Sequence, residues 1–361
     1  MKIVFIHLLN DYSGSPKVLS QVIKALEKRQ KDIELYTAKG DIGFLSNLVP
    51  KHHTYFYKRF ENKYLTLLLF MLSQAILLCK LFKYRKEDVS FYVNTMLPYG
   101  AALAGKLMGK PVIYHVHETY IKPAGFKRFL RFVIQKSASK IIFVSASLKR
   151  LEAFKNVPQT IIYNALSSDF LMEGNRYNYG FGANDIFNVL MVCSLKKYKG
   201  LDEFSSIAKL CLKEKDIVFT LVLNVSQKEI DIYFNGVPTP SNLRVYPKQK
   251  NVGIFYQKSS LLLNLSSIDQ CVETFGLTIL EAMAFGVPTI VPPVGGPAEI
   301  VSDNVEGYQI SSYEIKKVAN KIIWLSQNPE KCMELSKAAK MRAEDFREDV
   351  FEKEIVKAIY E

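Results

Sequence analysis

Glu273 and Glu281 stand eight positions apart in CVETFGLTILEAMAFGVPTIVPPVGGPAEIV, residues 271–301. Two carboxylates around one short segment could be an acid–base pair, two groups accepting hydrogen bonds from hydroxyls, or solvated surface acids. Good helix formers fill GLTILEAMAFG, and Gly286 followed by Val287-Pro288 is a helix stop. Gly276 then lies at the helix start, where free backbone N–H groups and the dipole favour an anion such as phosphate. If the whole segment were helical, eight residues at 1.5 Å would separate the carboxylates by roughly 12 Å. Glycosidase carboxylates stand about 5–9.5 Å apart. The wider spacing suits two sugars flanking a diphosphate better than one shared bond.

Stepping outward, short β-branched or aromatic runs alternate with helical patterns. KIVFI, IELYTA, VSFYVNT, KPVIYHVHE, KIIFVSAS and TIIYNA read as strands, with KVLSQVIKALEKR, YGAALAGKLMG and SLKRLEAF as helices between them. After a polar, irregular stretch from Ser167 to Asp185 the pattern restarts. NVLMVCS, DIVFTLVLN, LRVYP, SSLLLNLS and PTIVPP are strands there; DEFSSIAKLCLKEK and SYEIKKVANKIIWLSQN are helices. Such alternation implies two mostly parallel, doubly wound sheets, each covered on both faces. Ligands bind at the carboxyl ends of strands in such sheets, so two crevices facing across a cleft are expected.

The string E-x-F-G-L-x-x-x-E, then A-M-A-x-G-x-P-x-[IV], then G-G-x-x-E-[IV] resembles the signature of the family 4 retaining glycosyltransferases, which have the GT-B fold. Weaker echoes span nearly the whole chain: Gly14 after the first strand, His117 in YHVHE, FVSAS around Ser145, YNA at Asn164, and Lys199-Gly200 in SLKKYKG. The resemblance implies an α/β GT-B architecture. Residues 1–166 form an acceptor-binding, membrane-facing domain, 167–343 a nucleotide-sugar domain, and a helix over about 344–361 packs back on the first.

It also implies roles. Glu273 holds hydroxyls of the transferred sugar; Phe275, Gly276 and Leu277 offer backbone N–H groups; Glu281 grips the ribose diol. Lys199 neutralises the departing diphosphate, Gly14 lets the first loop approach the β-phosphate, and His117 touches the donor sugar near the reacting carbon. Such enzymes need no metal, and the sequence has no D-x-D. Two departures stand out. Ser194 occupies the place of the usual arginine, so Lys196 or Lys197 is expected to supply the cation. Leu265-Ser266 replaces the usual Pro-Ser.

The chain has 361 residues, 48% hydrophobic and 23% charged, enough for two ordinary cores. Its five cysteines are scattered without C-x-x-C, which suits reduced thiols in the cytosol. MKIVFIHLLNDYSGS lacks a small-residue cleavage site and reads as a first strand. The net charge of +13 is uneven. Residues 1–166 hold 26 Lys/Arg against 10 Asp/Glu, and residues 167–361 hold 22 against 25. One half therefore suits a polyanionic partner. No nucleic-acid module is present, which favours an anionic membrane over nucleic acid.

Two segments support that choice. Residues 65–82 are apolar but broken by Thr66, Ser73, Gln74 and Lys80. That is the lower limit of a spanning helix; an ordinary domain helix and a helix that touches lipid are the alternatives. IKPAGFKRFLRFVIQK, residues 121–136, interleaves five cations with Phe126, Phe129 and Phe132, which suits an anionic membrane surface; a solvated basic face is the alternative.

The expectation is a metal-independent transferase moving a sugar from a UDP-sugar to a polyprenyl-diphosphate- or otherwise lipid-linked saccharide. It would work on the inner face of the plasma membrane, in O-antigen, capsule or lipopolysaccharide assembly. A GT-B enzyme acting on a soluble sugar and an inactive nucleotide-sugar-binding subunit are the competing readings.

Overall fold

The computed structural model describes residues 2–29, 32–40, 42–180 and 185–361; the last part of the stretch read as irregular, 181–184, lies outside them. Two compact units result, Met1–Tyr163 with Asp349–Glu361, and Asn164–Glu348. Each is a parallel α/β unit of the expected class.

The first unit carries strands β1 (Lys2–Ile6), β2 (Ile33–Ala38), β3 (His52–Tyr55), β4 (Val89–Asn94), β5 (Val112–Val116), β6 (Lys140–Phe143) and β7 (Gln159–Ile161). They form one sheet in the order β3-β2-β1-β4-β5-β6-β7. Every residue of β2, β4 and β5 is buried, as strands covered on both faces must be. The covering helices include α1 (Gly14–Glu27), α2 (Lys63–Leu81), α3 (Tyr99–Leu107) and α4 (Ala124–Ser137). In α1 the apolar positions Val18, Leu19, Val22, Ile23 and Leu26 recur on one face, and all are fully buried. The helix Glu348–Tyr360 binds the same unit, through an ion pair from Lys28 to Glu352 at 2.5 Å and a hydrogen bond from Lys140 to the Ala358 carbonyl at 2.7 Å.

Helix α2 is apolar on both faces: it buries Phe70, Leu77 and Leu81, with two polar residues among them. Ser73 and Gln74 are fully buried, and the Gln74 side chain accepts the Gly100 N–H at 3.1 Å. Tyr64, Leu68 and Leu72 are 72%, 65% and 50% exposed. Gly100 permits the close crossing of α3, since a Cβ there would lie 2.2 Å from the Gln74 carbonyl oxygen. Phe70 of α2 meets Phe126 of α4 edge-on at 5.6 Å, and Phe129 and Phe132 of α4 are exposed.

Part of the basic excess is spent within the unit. At the amino ends of the strands, buried Glu34 is ringed by Lys2 at 2.9 Å, His53 at 2.9 Å, Lys83 at 3.7 Å and Lys51 at 3.8 Å. Burial pushes the Glu34 carboxyl up, but hydrogen bonds from Tyr84, Lys2 and His53 prevail and hold it at about 2.

The second unit carries β8 (Phe187–Cys193), β9 (Ile217–Leu223), β10 (Leu243–Tyr246), β11 (Leu261–Leu263), β12 (Thr289–Val291) and β13 (Gly307–Gln309), in the order β10-β9-β8-β11-β12-β13. In each sheet the strand order reverses beside the first strand, between β1 and β4 and between β8 and β11. Strands β3 and β13 escape the periodicity reading: both lie at sheet edges, and HHTY has no apolar alternation. The stretch read as irregular also contains a helix, Ser168–Asn175, in which Leu171 and Gly174 are the buried residues.

Candidate functional site

In the second unit the chemistry gathers where the strand order reverses. After β8 the chain makes a tight turn, Lys197–Lys199, which aims Lys199 at the segment following β11. The Tyr198 carbonyl accepts the Ser267 N–H at 2.8 Å and ties the two loops together. Lys199 forms an ion pair with Glu273, and Ser266 donates its hydroxyl to the same carboxylate oxygen at 3.2 Å. Burial opposes both charges. Glu273 nonetheless keeps the Lys199 ammonium above its ordinary pKa, and Lys199 with Ser266 keeps the carboxyl below its own. Ser266, which keeps the serine of the usual Pro-Ser while Leu265 departs from it, is thus a partner that motif reasoning passed over.

Glu273 is not helical. The helix runs Leu277–Ala284, so the 12 Å spacing drawn from a continuous helix does not apply. The start is Gly276, at φ 114°, where a Cβ would also strike Ile279 at 2.7 Å; no side chain caps this helix. Its first-turn N–H groups therefore suit oxygens of a ligand. The helix ends in a Schellman motif, with the Gly286 N–H on Met283 and the Val287 N–H on Ala282.

The glycine pair of the signature also has a packing cause. The Gly296 N–H donates to the Glu273 carbonyl at 2.9 Å. A Cβ on Gly295 would approach that carbonyl to 2.3 Å, and one on Gly296 would approach the Phe275 Cα to 2.3 Å. Phe275 is buried and meets Phe346 edge-on at 6.0 Å. Glu281, one turn into the helix and 9% exposed, accepts the Tyr256 hydroxyl at 2.8 Å. Tyr256 has no signal in the sequence. Lys196 and Lys197 are both exposed, with Lys196 extended and Lys197 opening the turn.

The first unit builds a second cluster at its own reversal point. Gly14 is exposed and opens α1, with ordinary helical backbone and no side-chain cap. His117 follows β5 and is half-buried. Its Nε2 lies 2.8 Å from Oδ1 of Asn94, the last residue of β4. Glu118 accepts the N–H groups of Met96 at 2.8 Å and of His117 at 3.1 Å, and burial pushes its carboxyl up to about 7. Ser145 caps the helix Ala146–Glu152 by accepting the Leu148 N–H at 3.1 Å. Beyond His117 the chain lines a cavity of about 520 Å³ with Tyr120, Lys122, Lys127, Arg128 and Arg131. Lys127 and Arg131 share the buried carboxylate of Glu152.

Residues 12–170 match the model of the family described as Glycosyltransferase Family 4, and residues 183–342 match that described as Glycosyl transferases group 1. Anabaena HepE, solved with UDP-glucose, superposes with a TM-score of 0.80 at 18% identity over 99% of both chains. The apo lipopolysaccharide outer core galactosyltransferase WaaB superposes with a TM-score of 0.72 at 17% identity, over 100% of this chain and 99% of that one. Sucrose synthase 1 of Hordeum vulgare is 49% identical over 51 residues, which is 14% of this chain and 6% of that much longer protein.

Proposed function

Because the chain belongs to the family 4 glycosyltransferases of GT-B fold, we propose that it moves a sugar from a UDP-sugar to a lipid-linked saccharide at the inner face of the plasma membrane. The observation that carries the donor half is the Lys199–Glu273–Ser266 group beside an uncapped helix start. An ammonium held there neutralises a departing diphosphate, a charge in place before the reaction needs it. Glu273 accepts from sugar hydroxyls, the N–H groups of Phe275, Gly276 and Leu277 meet phosphate or sugar oxygens, and Glu281 takes the ribose diol in company with Tyr256. Lys196 or Lys197 supplies the cation that Ser194 cannot. The UDP-glucose complex of HepE supports the choice of UDP. Retention of configuration and metal independence rest on the signature and on the missing D-x-D.

The acceptor half rests on α2, which buries Ser73 and Gln74 along with Phe70, Leu77 and Leu81 and leaves Tyr64, Leu68 and Leu72 exposed. Moving Leu68 and Leu72 into lipid gains on the order of 1 kcal/mol each at their present exposure. The basic cavity after His117 suits a phosphate ester on such a surface. Surface-polysaccharide assembly, whether O-antigen, capsule or lipopolysaccharide, draws support from the likeness to WaaB. A soluble sugar acceptor is the second reading, favoured by the sucrose synthase match.

Thermal unfolding with UDP, GDP and ADP tests the donor. UDP at about 100 times its Kd should add roughly 2.7 kcal/mol of stability, GDP and ADP far less, and Glu281→Ala should weaken the gain. No gain with any nucleotide would sink the donor reading. Vesicle cosedimentation tests the acceptor side: the wild type should pellet with phosphatidylglycerol-containing vesicles, and Leu68→Asp/Leu72→Asp should bind at least about tenfold more weakly. A wild type that ignores vesicles and glycosylates only free sugars would select the second reading.

A further inference from the structure

Three histidines meet at the carboxyl ends of β1, β4 and β5, and one asparagine ties two of them together. His7 follows β1, His115 lies in β5 and His117 follows it. Asn94 is fully buried between them. Its Nδ2 lies 3.1 Å from the Ser15 carbonyl oxygen and 3.2 Å from Nδ1 of His7, while its Oδ1 lies 2.8 Å from Nε2 of His117. A peptide oxygen can only accept, so the group facing Ser15 is the amide nitrogen and the group facing His117 is the amide oxygen. An amide oxygen also only accepts, so Nε2 of His117 carries a proton. Burial keeps His117 neutral, and the neighbouring rings of His115, at 4.3 Å, and His7 add to the effect. A neutral ring protonated at Nε2 has a bare Nδ1. The titratable rings that act on His117 are those of His115 and of His7, the latter held neutral by burial at about 4, and the Glu118 carboxyl accepts the His117 backbone N–H.

We propose that Asn94 is a positioning residue for the transfer reaction: it fixes His117 as the Nε2–H tautomer, so that Nδ1 accepts a hydrogen bond from a hydroxyl of the bound sugar. Ser15, in the first turn of α1, is what makes the choice unambiguous. The loop bearing Gly14 and the ring of His117 are therefore set by one side chain. An aspartate in place of Asn94 would draw a second proton onto the ring and turn an acceptor into a cationic donor. The role rests on the glycosyltransferase reading; the tautomer does not.

The test uses the full chain labelled with 15N-histidine, with the His117 signals assigned by their loss in His117→Gln. The wild type should show a protonated Nε2 and a bare Nδ1, unchanged between about pH 6 and 8. Asn94→Asp should make His117 titrate in that range and lower the turnover of donor by about 10–100-fold, with the UDP-induced rise in Tm retained. Asn94→Ser, which can donate or accept, should give a mixture of tautomers and an intermediate loss. A wild-type ring protonated at Nδ1, or variants that leave both the ring spectrum and turnover unchanged, would overturn the proposal. If neither variant folds, the wild-type spectrum still decides the tautomer. The expected tautomer with no UDP-induced rise in Tm would instead fault the donor reading.

Discussion

Lys199→Met is expected to lower turnover by about 10²–10³-fold, the scale of losing one preorganised charge from a transition state. It should also destabilise the second unit. Glu273 would keep its burial and lose its cation, and removing one partner of a buried pair costs about 3–5 kcal/mol. The lower end applies, because the two side chains retain 21% and 19% exposure. The pH dependence gives the sign. In the wild type the Glu273 carboxyl is held below its ordinary pKa, so its contribution is full above the unfolded carboxylate value and is lost as the pH falls through the folded value. In Lys199→Met the same carboxyl is desolvated with no ammonium beside it, and its pKa rises above the ordinary value. The variant therefore regains stability relative to the wild type as the pH falls, and the gap is widest at neutral pH. Adding Glu273→Gln should recover stability at pH 7 and leave turnover low. A double variant that turns over like the wild type would remove Lys199 and Glu273 from the chemistry.

Gly296→Ala is expected to weaken UDP-sugar binding at least tenfold while the protein stays folded. The added Cβ would sit 2.3 Å from the Cα and 2.6 Å from the N of Phe275. These are backbone atoms, not the end of a flexible side chain, so the strand of chain that carries Glu273 and Phe275 must move. Overpacking of this kind costs about 1–3 kcal/mol, and a shift of about 1 Å at a positioned group is enough to cost 10²-fold in rate. Gly125→Ala in α4 is the control, since its Cβ meets nothing within 4 Å. Isothermal titration with UDP-sugar separates the two: unchanged affinity in Gly296→Ala would mean that the glycine pair does not set the Glu273 loop.

The two parallel sheets were legible because their strands are short β-branched or aromatic runs, most of them buried, and eleven such runs stand out in the chain. The helix Leu277–Ala284 was legible from its formers and its glycine stop, but Glu273 lies outside it, because Gly276 turns the chain before the helix begins. Lys199 and Glu273 were each singled out, yet their contact was not. It depends on how the loops after β8 and β11 approach, and residues 74 positions apart carry no local pattern of that. Tyr256 and Asn94 were invisible for a related reason: Tyr256 acts through Glu281, Asn94 through Ser15, His7 and His117, all distant in sequence, and neither residue type is unusual where it stands. The bare face of α2 was half legible. Its composition offered lipid contact, but only packing shows that Ser73 and Gln74 turn inward.

The helix Glu348–Tyr360 has a consequence for biosynthesis. It belongs to the first unit, and everything between Tyr163 and Asp349 belongs to the second. Ribosomes add about 5–20 residues per second, so the sheet of the first unit leaves the exit tunnel roughly 10–40 seconds before the helix that covers it. During that interval the surface that receives Phe351, Ile355 and Ile359, all buried in the finished protein, stands open near Lys28 and Lys140. The half of the molecule synthesised first is the half completed last.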